Sequence, residues 1–160
     1  MNRWAMDLGP DSPNAFYDLP GYFDNKQRRW TYFRTNNYSH NTVTPGDALQ
    51  SRHIVAPIVT FGTVPDRGFA VADLTSAYPT EVTSLRRRIA LLDRARVLIQ
   101  DEYQPTRPGM LLHWTMVTGA EIGLAADGRT ASLTKNGHLL RVEILEPDSA
   151  RWHIGFSRLT

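Results

Sequence analysis

The sequence predicts an all-β protein, an antiparallel β-sandwich, and three observations lead to that prediction. Short segments rich in β-branched and aromatic residues recur along the chain, separated by Gly, Pro, Asn and Asp. Two dipeptides, Asp127-Gly128 and Asn136-Gly137, are typical of type I′ hairpin turns. The most helix-like stretch, residues 81–92, runs without a stop signal into residues 96–100, which are strongly β-like, and this favours strand over helix there.

The elements follow from this pattern in chain order. Residues 1–27 are rich in Gly, Pro, Asp and Asn, so we expect loops around one short strand at residues 3–7. Asp93-Arg94 is expected to form a tight turn, and residues 121–146 a three-stranded meander. The remaining predicted strands are residues 28–34, 53–61, 67–74, 82–92, 94–103, 109–117, 121–126, 129–134, 138–146 and 152–156.

Length and composition predict a single domain over residues 1–160, because 41% hydrophobic residues suffice for one core. The formal charge of +2 is too small to indicate nucleic-acid binding. No apolar run approaches the roughly 18 residues of a membrane span, and residues 1–7 lack the pattern of a signal peptide. The absence of Cys excludes disulfides, thiolate metal sites and cysteine nucleophiles.

The densest group of chemically useful side chains begins at residue 28. Aromatic rings can stack on sugar rings, and guanidinium groups pair with carboxylates through two hydrogen bonds. On a strand, alternate residues would share one face, which would then suit an anionic sugar; a half-buried strand with a solvated Arg rim is the other interpretation. The substrate-binding candidates are Arg28, Trp30, Tyr32, Arg34 and Tyr38.

Two residues after this group are candidates for catalysis. His40 lies in a polar loop beside Asn41, where an imidazole can exchange a proton while the amide holds a substrate oxygen. A surface His in a loop is the alternative. The run from Arg86 to Arg88 is expected to form the solvated edge of a sheet.

Two further residues are weak candidates for metal ligands. Asp73 ends an apolar strand, where a carboxylate can orient an imidazole, bind a metal or cap the next turn. Capping is the commonest of these uses. His113 lies in an apolar segment, where a hydrogen-bonded core His is commoner than a ligand.

With these residues in place, the chain resembles the C-terminal part of heparinase II/III-like polysaccharide lyases. The likeness is an ordered series that covers nearly the whole chain. It comprises residues 3–9, 19–23, 28–34, 40–42, 50, 56–58, 69–78, 91–94 and 97–102.

The resemblance implies stacked antiparallel sheets that follow an α/α-toroid in sequence, with the active site in the cleft between the two. Such lyases cleave uronic-acid polysaccharides by β-elimination, which requires proton transfer and neutralisation of the carboxylate. It implies a catalytic or carboxylate-neutralising role for His40, with Asn41 beside it. The other catalytic residues would come from the toroid, so little or no activity is expected from this chain alone. A periplasmic or extracellular location is also implied.

The resemblance also bears on cofactors. Some members of the family hold a structural zinc through His and Asp of the sheet domain, but Val117 occupies the position expected for one of the His ligands. An aliphatic side chain cannot bind zinc. No cofactor and no tight zinc site are therefore predicted, with Asp73 and His113 as the weak candidates.

The expected partners are an acidic polysaccharide and a toroid domain or subunit, and neither nucleic acid nor a membrane. Without the toroid, an exposed apolar surface would favour self-association. Two other functions remain open from the residues alone. One is a non-catalytic module that binds acidic glycans, and the other is a scaffold without a ligand.

Overall fold

A computed structural model describes residues 2–9, 28–52, 54–64 and 67–155, and of residues 28 and 29 it describes the backbone. The described part contains strands and 3-10 helices but no α-helix, and its three sheets are antiparallel. The all-β, antiparallel prediction is confirmed. The strands are β1 (Val43–Pro45), β2 (Ile58–Val64), β3 (Arg67–Asp73), β4 (Val82–Leu92), β5 (Arg96–Pro105), β6 (Leu112–Trp114), β7 (Glu121–Leu124), β8 (Thr130–Lys135) and β9 (His138–Glu143).

The contacts between residues in space divide the chain into two compact units. The larger unit is Gly9–Thr115, and the smaller unit combines Met1–Leu8 with Met116–Thr160. The single-domain organisation stays a prediction from the sequence. Among the described residues, no helix has the length and apolar character needed to cross a membrane.

The larger unit contains a four-stranded sheet, in the order β2-β3-β4-β5, and a two-stranded sheet of β1 and β6. Strands β4 and β5 form a long hairpin in which Leu92 pairs with Arg96. Asp93 and Arg94 both have positive φ, 52° and 53°, as a type I′ turn requires. The predicted turn and the strand assignment of residues 82–92 are therefore confirmed.

The core of this unit contains side chains from both of its sheets. Strand β1 contributes Val43, and β4 contributes Val82 and Leu85. Tyr78 and Ala77, which lie just before β4, complete the fully buried cluster. Leu112 and Trp114 of β6 and Tyr103 of β5 pack against it. The two sheets therefore pack on each other, and the polar segment before β1 is anchored on their shared core.

The smaller unit contains the predicted meander, β7-β8-β9. Asn136 and Gly137 have φ of 51° and 73°, which confirms the type I′ turn between β8 and β9. The type I′ prediction for Asp127-Gly128 is wrong, because only Gly128 has positive φ and its N–H donates to the carbonyl of Ala125 at 2.9 Å. The Asp127 carboxylate accepts from the N–H groups of Arg129 and Thr130, which holds a longer turn in place.

The predicted strand at residues 28–34 is wrong. Residues 28–39 instead form three short 3-10 helices, η1 (Arg28–Thr31), η2 (Phe33–Thr35) and η3 (Asn37–Ser39). The Asn36 side chain accepts from the N–H of Tyr38 at 2.9 Å, and the Thr35 hydroxyl donates to the Tyr32 carbonyl at 3.2 Å. These local bonds between side chains and backbone favour turns over a strand ladder.

Four other strand predictions change. Residues 3–7 and 152–155 form no strand, although the N–H of Met6 donates to the Val117 carbonyl and the N–H of Trp152 donates to the Gly128 carbonyl. Strand β2 begins only at Ile58, after a proline that has no N–H to donate. Strand β6 covers three residues of the nine predicted at 109–117. Residues 53 and 156 of the predicted strands lie outside the described residues.

Candidate functional site

Asn37 organises the polar segment that carries His40. Its side-chain Nδ2 donates to the Thr44 hydroxyl at 2.8 Å and to the Ala48 carbonyl at 3.0 Å. Its Oδ1 accepts from the N–H of Gln50 at 3.0 Å. Asn37 is buried, so these bonds satisfy a side chain that would otherwise be costly to remove from water. They tie together two arms of the loop on either side of β1.

Tyr78 fixes the start of β1 through a hydrogen bond to its backbone. Its hydroxyl donates to the Val43 carbonyl at 2.6 Å, and its side chain is completely buried. Burial raises the pKa of Tyr78 above its usual value of 10.0, because the phenolate would be poorly solvated there. The neutral hydroxyl therefore acts as a structural donor to Val43, which lies three residues after His40 in the chain.

A buried ion pair fixes the residue next to His40. Arg87 donates to both carboxylate oxygens of Asp101, at 2.7 and 2.9 Å, and the two side chains are only 11% and 9% exposed. Arg87 also donates from Nη1 to the Asn41 carbonyl at 3.2 Å. The prediction of a solvated edge is wrong here, because β4 lies between β3 and β5. Its Arg87 instead supports the loop from the sheet.

A cavity of about 260 Å³ lies beside this segment, within the larger unit. His40 and Trp30 line it together, which brings one catalytic candidate and one binding candidate to a common space. Arg52 lines it too and has no ion-pair partner among the described residues. None of the described lining residues is acidic. The cavity therefore combines an imidazole, an indole and a guanidinium, a set suited to an anionic ring.

The other predicted site residues lie elsewhere. Of the described residues, Tyr32, Arg34, Tyr38 and Asn41 do not line the cavity. The Tyr38 hydroxyl donates to the Asp47 carbonyl at 2.5 Å, which is a structural use of that group. The predicted strand would have placed alternate residues on one face, but the segment forms the 3-10 helices η1 and η2 and has no such face. The side chain of Arg28 lies outside the described residues.

Asp73 contacts Thr75 and Arg86. It accepts from the N–H of Thr75 at 2.9 Å, and its Oδ2 lies 3.9 Å from Nε of Arg86. The hydrogen bonds from Thr75, with a smaller contribution from Arg86, hold the pKa of Asp73 below its usual 3.8. His113 lies on β6 and pairs with Thr44 of β1. In the described ranges, no group of three or more His, Asp or Glu side chains converges as a metal site would require.

Sequence reasoning missed several residues that shape the cavity, notably Asn36, Asn37, Gln50 and Arg52. Consecutive Asn residues between aromatic ones are a signal for side-chain bonds to local backbone, and that signal could have replaced the strand prediction. The role of Arg87 had no local signal, because its partners Asp101 and Asn41 are 14 and 46 positions away in the chain.

A comparison with models of protein families finds no match to this chain, and a comparison with curated proteins finds none either.

Proposed function

We propose that this chain is the sheet domain of a lyase of the heparinase II/III-like type, which acts on uronic-acid polysaccharides and contributes one wall of the cleft. The observation that carries the proposal is the cavity shared by His40, Trp30 and Arg52. It supports the assignment of His40 because a proton-transferring imidazole needs a space in which substrate can approach it. The ordered resemblance in sequence supports the choice of reaction.

The chemistry of β-elimination accounts for these side chains. Removal of the proton beside a uronate carboxylate becomes easier when a cation or hydrogen-bond donor neutralises that carboxylate. In this proposal Arg52 supplies the positive charge, Trp30 supports the sugar ring, and His40 transfers a proton or holds the carboxylate. The remaining catalytic groups come from a toroid domain. No metal takes part, and neither nucleic acid nor a membrane is a partner.

The proposed toroid partner needs an apolar docking surface. Phe61, Ile89 and Ile99 lie in one cross-strand row of the four-stranded sheet and are 71%, 48% and 39% exposed. An exposed row of this kind supports docking of a toroid and, in its absence, self-association. Gel filtration of the chain at high concentration, alone and joined to a toroid, separates the two states.

The test uses this chain joined to the region encoded upstream of it, with the isolated chain in parallel. Each is incubated with a panel of uronic-acid polysaccharides, and the unsaturated product is followed by the ultraviolet absorbance of its conjugated alkene. We expect product only from the joined protein. His40→Ala should lower kcat by roughly 10²–10⁴-fold while glycan binding persists. His113→Ala is the matched control, because His113 is an exposed residue that does not line the cavity.

A second function is favoured by one specific feature of the site. All the described residues that line the cavity belong to the larger unit, which favours binding of a ligand without a second domain. The alternative is thus a non-catalytic module for acidic glycans. Polysaccharide binding by the isolated chain, with no product from the folded joined protein, would favour this alternative over the lyase. Absence of both would leave only the scaffold.

A further inference from the structure

Asn36 and Asn37 are adjacent residues of one type, yet the structure uses them differently. Asn37 donates twice and accepts once through its side chain, so its amide is fully employed in the loop. Asn36 uses only its Oδ1, which accepts from the N–H of Tyr38 and caps η3. No group among the described residues accepts a hydrogen bond from the Nδ2 of Asn36. One of the two amides therefore has a spare donor.

The Nδ2 donor of Asn36 is buried, and a buried donor without an acceptor is uncommon in folded proteins. Asn36 is only 7% exposed, and buried polar groups in folded proteins are nearly always hydrogen-bonded because an unmade bond is costly. Capping alone does not require an amide, since Asp, Ser or Thr at this position would supply the same acceptor. Asn36 also lines the cavity that contains His40. A ligand atom that accepts a hydrogen bond would complete its bonding.

The neighbouring groups indicate the kind of acceptor. Arg52 brings a positive charge to the same cavity, and the described lining includes no carboxylate to repel an anion. Trp30, Leu49 and Ile54 add apolar surface that suits the face of a ring. The volume, about 260 Å³, lies near the lower end of the roughly 300–1,000 Å³ of ligand pockets, so it fits one ring rather than a chain of them.

We infer that Asn36 is a specificity-determining residue, whose Nδ2 donates to the carboxylate of a single uronate ring bound in this cavity beside Arg52 and Trp30. The inference rests on the proposed function and deepens it, because it names the group that distinguishes an acidic sugar from a neutral one. The Nδ2 donor favours the carboxylate over the neutral hydroxyl of glucose because a hydrogen bond to an ionised acceptor is roughly twice as strong as one to a neutral acceptor.

The test measures binding of glucuronate and of glucose, its neutral counterpart, to the full chain by NMR titration. The isolated chain should bind glucuronate in preference to glucose. Asn36→Asp keeps the size and the capping acceptor but replaces the donor by a negative oxygen, and Asn36→Ser keeps a neutral cap without the amide. Each should weaken glucuronate binding by about 10-fold or more, the effect of losing a hydrogen bond to a charged group. Binding of glucose should change little.

Two controls separate this effect from general ones. Asn136→Asp places the same added charge in the hairpin turn between β8 and β9, outside the cavity, and should leave glucuronate binding unchanged. In the unaltered protein, the side-chain amide resonances of Asn36 should shift during the glucuronate titration, while those of Asn37 should shift less. This second measurement needs no variant and so does not depend on how Asn36→Asp folds.

The possible failures are distinguishable. Glucuronate binding that is equal in the unaltered chain and in Asn36→Ser, with unmoved Asn36 resonances, overturns the inference but leaves the lyase proposal intact. Lyase activity in the joined protein that depends on His40 but does not change in Asn36→Ser also overturns the inference and leaves the lyase proposal intact. Absence of both glucuronate binding and lyase activity overturns the inference and the proposed function together.

Discussion

The segment from residue 36 to residue 50 and the β7-β8-β9 meander are held together in opposite ways. In the meander, backbone ladders join strands that are neighbours in sequence, and Lys135 pairs with His138 across a two-residue turn. In the segment, side chains bond to backbone groups, and two of those side chains, Tyr78 and Arg87, are 35 and 46 positions from their partners. The meander is therefore determined locally, whereas the candidate site takes its shape from distant parts of the larger unit.

This difference indicates which substitutions far from His40 in sequence should affect the candidate site. A substitution in the ladder of the meander affects its own strands, because each bond joins close neighbours. A substitution of Arg87 in β4 removes a contact of the loop that carries His40, and a substitution of Asp101 in β5 removes the partner that holds Arg87. Three substitutions test this contrast.

The largest effect is expected for Asp101→Ala. It leaves the guanidinium of Arg87 buried without its carboxylate, and losing one partner of a buried pair costs about 3–5 kcal/mol. Urea unfolding measures the loss, and hydrogen exchange should show it in the amides of residues 36–50. The control is Arg87→Met combined with Asp101→Leu, which should recover much of the stability because no charge remains buried. A double variant as unstable as the single one would show that the pair does not act through buried charge.

A smaller effect is expected for Tyr78→Phe, which removes the donor to the Val43 carbonyl. Leaving a buried carbonyl without its donor costs about 1–3 kcal/mol. The pH dependence is more specific. Burial raises the pKa of Tyr78 above its usual 10.0, so the folded protein retains the proton that the unfolded chain loses. The stabilisation is complete below pH 10 and is lost as the pH rises toward the folded-state pKa.

The free energy of unfolding, measured from pH 8 to pH 11 by urea titration (a range chosen roughly around the usual tyrosine pKa), checks this expectation. The difference between the unaltered protein and Tyr78→Phe should shrink above pH 10. A difference that stays constant with pH would contradict the role given to burial of Tyr78.

The smallest effect is expected for Gly137→Ala in the meander. Gly137 has φ of 73°, and a Cβ there would meet no atom within 4 Å, so the cost arises from backbone conformation alone. That cost is about 1–2 kcal/mol. Amide exchange should quicken in β8 and β9 and stay unchanged at residues 36–50. Gly155→Ala is the matched control, since Gly155 has equal space and no positive φ. Faster exchange around His40 would break the contrast between the two regions.

The same contrast explains what the sequence could predict. The hairpins at Asp93-Arg94 and Asn136-Gly137 were predictable because turn dipeptides act on their own neighbours. The segment at residues 28–34 was not, because alternating aromatic and Arg residues match a strand while the bonds of Thr35 and Asn36 to nearby backbone determine the turns. His40 was predicted as a candidate from its type and loop position. Its cavity neighbours Asn36 and Arg52 were missed because only the fold brings them together.

Arg86, Arg87 and Arg88 are three identical residues in succession on β4, and each has a different surrounding. Arg86 lies near Asp73, Arg87 is buried against Asp101, and the guanidinium of Arg88 lies 4.7 Å from the centre of the Phe69 ring. A two-hydrogen-bond pair requires guanidinium geometry, an exposed ion pair tolerates lysine, and an aromatic ring accepts either cation. We therefore expect the three positions to tolerate substitution by lysine unequally, with Arg87 the least replaceable of the three.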